Sequence, residues 1–209
     1  MKSYIELYDV GEEYFSDRLF AERFFADTKG RILEIGCSIG HHMIYYKDRR
    51  FGLDIDLEAL LIARKNGFNV IQSELSRGIP FKSNSFSAIE CQQVIEHLYD
   101  PQFFMKECYR ILEPGGKAII VTPDIIKWGH HFYSDYTHVK PFTKRSLSQV
   151  AIDSGFSDFS VTNLHKGIPL IKRLFRKNFI SMRSVLKIQD ILYSLGYRYH
   201  EHLLLVATK

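Results

Sequence analysis

The sequence predicts an α/β fold, a mostly parallel sheet wound on both faces by helices. Three observations predict it. Short runs rich in Ile, Leu and Val alternate along the chain with segments of helical periodicity. The first run, "RILEI", passes directly into a glycine turn, "GCSIG", where backbone can approach a ligand closely. Stop residues then punctuate the alternation: Gly67, the triplet Pro114-Gly115-Gly116, and Gly155.

The elements follow in order. "RILEI" (31–35) reads as the first strand, and the spacing of Met43, Ile44 and Tyr46 predicts a helix starting near Gly40. "FGLDI" (51–55) is the second strand. "LEALLIARKNG" is a helix with Leu57, Leu60 and Leu61 on its apolar side, stopped at Gly67. "FNVIQS" (68–73) and "FSAIECQ" (86–92) are the third and fourth strands. "PQFFMKECYRILEPGG" opens with Pro101, a favoured first helical residue, and is closed by Pro114-Gly115-Gly116. "KAIIVTP" (117–123) is the fifth strand, and "TKRSLSQVAIDSGF" a helix capped by Thr143 and stopped by Gly155. "FSDFSVTNLH" (156–165) and "EHLLLVATK" (201–209) are final strands bracketing a helical insert. Parallel sheets bind ligands beyond the C-terminal strand ends where the strand order reverses, and the first glycine turn falls there.

The 209 residues suit a single domain over 1–209, with a helical cap over 1–30 and a helical lid over 165–200. The opening "MKSYIELYDVGEEYF" carries acids where a secretion signal needs an unbroken apolar run. No apolar stretch is long enough to span a bilayer. Cys37, Cys91 and Cys108 sit in apolar or helical patterns and are odd in number, as for buried free thiols. Together these features set the expectation of a cytoplasmic protein.

Net charge is +4, unevenly spread: nine of the 28 Lys/Arg but only two of the 24 acids lie from His165 onward. In the insert, Leu170, Ile171, Leu174 and Phe175 fall on one helical face, and Lys172, Arg173, Arg176 and Lys177 on the other. This basic amphipathic pattern suits a lid over an acceptor pocket. It also suits docking of 168–180 on an anionic membrane surface, or a grip on a phosphate-bearing acceptor. The remainder is slightly acidic, so nucleic acid is not expected as a partner. The oligomeric state is left open by the sequence.

The glycine turn bears on the ligand. A nicotinamide fingerprint would read G-x-G-x-x-G and cradle a pyrophosphate; here the spacing is G-x-x-x-G behind Glu34, an acid that repels pyrophosphate and suits a cation. Asp54 ends the second strand, placed to accept ribose hydroxyls, and Glu74 follows the third, within reach of an exocyclic amine. A cation, a ribose and an adenine together describe S-adenosylmethionine.

At this point a resemblance becomes specific. "LEIGCSIG", "GLDI", "SELSRGIPFKSNSF", "QQVIEHL", "RILEPGGK" and "DYTHVKPFT" resemble, in order, motifs of the class I S-adenosylmethionine-dependent methyltransferases, in particular the small-molecule and glycan-modifying branches. The resemblance implies a Rossmann-like sheet of seven strands in order 3-2-1-4-5-7-6, the last antiparallel. It implies S-adenosylmethionine as cofactor and S-adenosylhomocysteine as product. On the cofactor it places Glu34 at the ammonium, Gly36, Ser38 and Gly40 around the methionine part, Asp54 and Ile55 at the ribose side, Glu74 and Leu75 at the adenine side, and Gln92 and Gln93 near the methyl. Ser38 departs from the usual glycine, Ser87 from an aspartate, and Glu74 from a shorter acid.

His97 and His138 are the candidate general bases, since imidazole can take a hydroxyl proton near neutral pH; each also fits a structural role. The run "WGHHFYSDYTH" (128–138) would roof the reacting group. Gln93 stands where a metal reading of 93–97 needs an acid; Glu96 and His97 alone are too few ligands, and no metal is expected. Methyl transfer to an oxygen of a small-molecule or glycan acceptor is the leading reading. The alternative is an inactive methyltransferase-like module acting through its basic insert.

Overall fold

Seven strands form one sheet in the order β3-β2-β1-β4-β5-β7-β6. They are β1 (Ile32–Ile35), β2 (Arg50–Asp54), β3 (Asn69–Gln72), β4 (Phe86–Gln92), β5 (Leu112–Pro123), β6 (Asp158–Leu164) and β7 (His202–Thr208). Neighbours from β3 to β5 pair in parallel; β7 runs antiparallel to both β5 and β6. The expected order and the lone reversed strand are both present. The computed structural model describes residues 10–164 and 202–209, with Ser181, Ser184, Val185, Lys187, Ile188 and Ile191 between them. The expected membrane-docking stretch 168–180 lies outside the described residues.

The chain divides into two units, 1–27 with 165–200, and 28–164 with 201–209. The first holds α1 (Val10–Phe25), in which Phe20 packs on Phe24 with ring centroids 4.7 Å apart. The second unit holds the sheet. No helix among the described residues is long and apolar enough to cross a membrane. All three cysteines are buried and free.

Side chains alternate across a strand, so the register sorts the sheet into two faces. One face carries Leu33, Ile35, Leu53, Ile89, Cys91, Ala118, Ile120, Leu203, Leu205 and Ala207, all buried in one cluster. Covering it are α3 (Pro101–Ile111) through Phe104, Met105, Cys108 and Ile111, and α5 (Lys144–Asp153) through Leu147 and Ala151. The other face carries Val70, packed with Cys37, Met43, and Leu60 and Ala63 of α2 (Leu57–Lys65), and it also carries charge: Glu34 of β1 lies beside Glu90 of β4. Of the three side-chain caps that follow, the one at Thr143 was expected from the sequence. Thr143 and Ser146 make a reciprocal capping box on α5, Asp100 accepts from Phe103 N–H, and Asp56 caps α2 through Glu58 and Ala59 N–H.

Three local expectations are corrected. No α-helix follows Gly40; two 3-10 turns, His42–Ile44 and Lys47–Arg49, flank Tyr46 at φ +63°. The chain must return along β1 to start β2 within few residues, and a 3-10 segment rises about 2.0 Å per residue against about 1.5 Å for an α-helix. Secondly, α3 stops at Ile111, and Pro114-Gly115-Gly116 instead forms the irregularity in β5 where the β4–β5 register shifts between Phe86 and Ala88. There Gly115, at φ +79°, donates its N–H to Lys209 O at 2.9 Å. Thirdly, α2 buries Ala59, Leu60 and Ala63 and leaves Leu57 and Leu61 about half exposed.

On α3, Glu107 accepts from Ile79 N–H (2.9 Å) and pairs with Arg110, whose guanidinium donates to Phe81 O and Ile79 O. Its pairing with Arg110 holds the Glu107 carboxyl below its ordinary 4.5. A carboxylate with a lowered folded-state pKa adds stability above that ordinary value, and the gain is lost as pH falls beneath it. Glu107→Gln should therefore flatten the acid limb of the stability–pH curve below about pH 4.5, read by urea melts, and leave the neutral limb's slope unchanged.

Candidate functional site

The turn after β1 builds the floor of the site. Gly36 and Cys37 donate their N–H groups to Leu53 O at 2.8 and 3.0 Å, fastening the turn to the end of β2. Gly36 holds φ +77°, and a Cβ there would lie 2.4 Å from Val94 Cγ2, so no other residue fits without displacement. Ser38 also holds a left-handed φ, +46°, and its N–H points to Asp54 Oδ2 at 2.7 Å. Left-handed backbone strains a residue with a Cβ, so Ser38→Gly should raise stability by roughly 0.5–1 kcal/mol in denaturant melts. An unchanged or lowered midpoint would count against strain at Ser38.

A cleft of about 850 Å³ opens at the C-terminal ends of β1, β2 and β4. Seven of the ten residues expected at the cofactor line it: Gly36, Asp54, Ile55, Glu74, Leu75, Gln92 and Gln93. The two sites expected for base chemistry divide, His97 lining the cleft and His138 lying against His97 outside the lining. Glu34, Ser38 and Gly40 are not in the lining. Ser38 acts from behind, through Asp54. At Gly40 the room a side chain would need is filled by the Phe68 ring, which comes within 2.7 Å of where a Cβ would stand. The sequence reading missed Tyr99, Asp100, Phe103 and Phe104, which complete the wall; their approach depends on the entry angle of α3 and leaves no local signature.

Asp54 takes one backbone N–H on each oxygen, Ser38 on Oδ2 and Asp56 (2.9 Å) on Oδ1, which leaves each oxygen a further acceptor position. Because Asp56 does the capping of α2, Asp54 is free for the cleft. Glu74 pairs with Arg77 at 2.9 Å and accepts from Ser76 Oγ at 2.7 Å. Gln92 donates its amide to Glu90 Oε1 at 2.7 Å, and Gln93, at φ +53°, donates its backbone N–H to Val121 O.

Beside the floor lies a buried charge network. Arg50, 1% exposed, donates from Nε to Glu34 Oε2 (3.0 Å) and pairs through Nη2 with Glu90 Oε2. His42 Nδ1 meets Glu90 Oε1 at 2.7 Å. Two acids on adjacent strands at one register level need such a cation, and β2 supplies it. The Glu34 carboxylate is thus engaged with Arg50.

A second cluster forms where the turn after β4 meets the segment after β5. Glu96 is fully buried; its Oε2 accepts from Thr122 Oγ1 at 3.0 Å, and Oε1 has no hydrogen-bond partner. Burial raises its carboxyl from 4.5 to about 7, with Thr122 and His138 opposing the rise. The Glu96 carbonyl accepts from Val139 and Lys140 N–H at 3.0 and 2.9 Å, strapping the two segments together. His97 Nδ1 lies 3.2 Å from Thr137 O and 2.9 Å from Thr137 Oγ1, and Oγ1 itself donates to Asp135. His138 Nδ1 lies 2.8 Å from Phe132 O. A carbonyl only accepts, so both imidazoles carry hydrogen on Nδ1, and His138 Nε2 faces Asp135 Oδ2 at 3.9 Å. Their rings are 4.7 Å apart. The run 128–138, expected to roof the reacting group, is not in the cleft lining; it leaves a short helix, α4 (Ile125–Trp128), in a 3-10 turn (Gly129–Ser134), with Phe132 buried and Tyr133 and Tyr136 exposed.

A seven-stranded sheet with this order and a cleft at the ends of β1, β2 and β4 defines a class, the Rossmann-like methyltransferase fold. Residues 33–120 match a family model described as a methyltransferase domain. A probable S-adenosylmethionine-dependent methyltransferase of Mycobacterium tuberculosis is 29% identical over 147 residues, covering 67% of this chain and 53% of that protein. A ubiquinone biosynthesis O-methyltransferase of Psychrobacter arcticus is 22% identical over 192 residues, covering 76% of this chain and 71% of that one. A crystallised methyltransferase of Archaeoglobus fulgidus superposes with a TM-score of 0.70 at 19% identity, covering 99% of this chain and all of that one. The chain spans about half the length of the first curated relatives it matches. Residues 33–120 are thus similar to a methyltransferase domain, and the chain is similar to S-adenosylmethionine-dependent methyltransferases.

Proposed function

We propose that this chain transfers a methyl group from S-adenosylmethionine to an oxygen of a small-molecule or glycan acceptor. The observation that carries the reading is one cleft lined both by the acceptor-only carboxylate of Asp54 and by the His97 imidazole, which Thr137 holds through Nδ1. S-adenosylmethionine supplies an electrophilic methyl on a sulfonium: the C–S bond breaks to a thioether as a C–O bond forms. Gly36, Asp54, Ile55, Glu74 and Leu75 then hold the nucleoside and amino-acid ends, and the cleft excludes water and aligns the acceptor. The hydroxyl proton is taken up at the Glu96–His97–His138 cluster, with His97 and His138 as its candidate bases. The relationship to a ubiquinone biosynthesis O-methyltransferase supports oxygen as the acceptor atom.

Calorimetric titration with S-adenosylhomocysteine, with NAD as control, tests the cofactor half. Micromolar binding of the first and none of the second is expected. Transfer of a labelled methyl to a panel of phenols, sugars and amines tests the acceptor half. Products confined to amines would overturn oxygen transfer, and S-adenosylhomocysteine binding without any product would favour a non-catalytic module.

A further inference from the structure

We propose that Glu96, His97 and His138 form a binding site for one divalent transition-metal ion at the wall of the cleft. Counted along the sequence, Glu96 and His97 are too few for a site; the fold brings His138 from beyond β5 as the third. One ligand atom from each residue lies within 4.8 Å of the other two. Ligands on a common ion at bond lengths of about 2.0–2.2 Å sit roughly 3–3.5 Å apart, a contraction that side-chain rotation supplies.

Two independent features mark this as more than proximity. Glu96 Oε1 is buried without a hydrogen-bond partner, while the same carboxylate's other oxygen is satisfied by Thr122. Such an oxygen is costly unless something binds it, and a cation does so at the place the imidazoles converge. Secondly, both histidines spend Nδ1 on backbone carbonyls, those of Thr137 and Phe132, so the neutral imidazoles offer Nε2 as a ligand, and Asp135 Oδ2 lies 3.9 Å from His138 Nε2 as a further acceptor on the same side. Outer hydrogen bonds of this kind orient metal-bound imidazoles and raise their basicity.

The donor set also selects the ion. Two imidazoles and one carboxylate suit Zn²⁺, Mn²⁺, Fe²⁺, Co²⁺ or Ni²⁺ above Mg²⁺ or Ca²⁺, which prefer oxygen. Three protein ligands leave coordination positions open, and His97 borders the cleft, so an acceptor hydroxyl can occupy one. In this role the site rests on the proposed oxygen transfer and alters one step of it: with the ion bound, the imidazoles are ligands in place of bases, the ion lowers the hydroxyl's pKa, and the proton passes to solvent.

The test is Co²⁺ titration of the tag-free, chelator-treated protein, read by ligand-field absorption and calorimetry, with S-adenosylhomocysteine binding measured in parallel. The expected result is one Co²⁺ per chain, displaced by Zn²⁺ and not by Mg²⁺. Affinity should fall about tenfold or more in His138→Ala and in Glu96→Gln, which keeps the Thr122 contact. S-adenosylhomocysteine affinity should not change in either variant, and the same readout reports that they are folded. The double variant His130→Ala/His131→Ala should bind Co²⁺ as the wild type does. No stoichiometric binding, or binding lost only in that double variant, overturns the site. Either outcome leaves the S-adenosylhomocysteine result standing, so the metal site and the methyltransferase reading fail separately.

Discussion

Replacing Arg50 by methionine should cost about 3–5 kcal/mol of folding free energy, the range for removing one partner of a buried ion network. Against a total of about 5–15 kcal/mol for a domain, that is enough to leave the protein partly unfolded at physiological temperature. The cause is geometric. Glu34 and Glu90 occupy the same register level of β1 and β4, and both are nearly inaccessible to water. Arg50 answers both from β2, one through Nε and the other through Nη2, and His42 and Gln92 add contacts to Glu90. Without the guanidinium, two buried carboxylates face each other at one level of the sheet. Denaturant melts should show the deficit narrowing toward acid pH, as the stranded carboxylates take up protons. The triple variant Glu34→Gln/Arg50→Met/Glu90→Gln should recover most of the loss, since neutral amides can satisfy one another. A single-variant loss below about 1 kcal/mol would mean that water or His42 already supports the acids.

The strand–helix alternation was legible because each strand is a short apolar run and most connections carry explicit caps and stops. Phe86–Gln92 and the capping of α5 by Thr143 appear as the residues predict. The helix expected after Gly40 was not legible, because Met43, Ile44 and Tyr46 carry a helical spacing that the short return to β2 cannot use. Of the site, the part contributed by contiguous motifs was legible: Gly36, Asp54, Glu74 and the Gln92–Gln93 pair all reach the cleft. What sequence could not reveal depends on register and on distant segments meeting. Arg50 looks like an ordinary charge before a strand until the register sets Glu34 against Glu90. His138 becomes a neighbour of Glu96 only once Val139 and Lys140 donate to the Glu96 carbonyl. One clue was available, an acid in the middle of the apolar run "FSAIECQ", at Glu90, which only a buried partner can explain.

Replacing Asp54 by alanine should weaken S-adenosylhomocysteine binding by roughly 30- to 150-fold, the equivalent of about 2–3 kcal/mol for hydrogen bonds to a charged acceptor. Asp54 has two duties that predict different outcomes. As a structural residue it receives the N–H groups of Ser38 and Asp56, so its loss frees the turn after β1 and the entry to α2. As a ligand it offers the remaining acceptor positions of both oxygens to the paired hydroxyls of a ribose. Asp54→Asn separates them. The amide keeps one carbonyl oxygen for one of the two backbone N–H groups at nearly unchanged volume but turns its NH2 toward the other, so some stability is lost with that bond. Its other end can only donate, so one hydroxyl acceptor is lost. Ribose recognition therefore predicts, for Asp54→Asn and Asp54→Ala alike, a fall in affinity larger than the loss of stability accounts for. A purely structural Asp54 predicts the reverse weighting: affinity that follows stability in both variants, and near wild-type binding once the turn is held. Ser38→Gly offers the cross-check, because it changes the backbone on the far side of the same hydrogen bond without touching the carboxylate. If S-adenosylhomocysteine affinity survives Asp54→Asn, the ribose must be held elsewhere on the cleft wall, and Glu74 becomes the carboxylate to replace next.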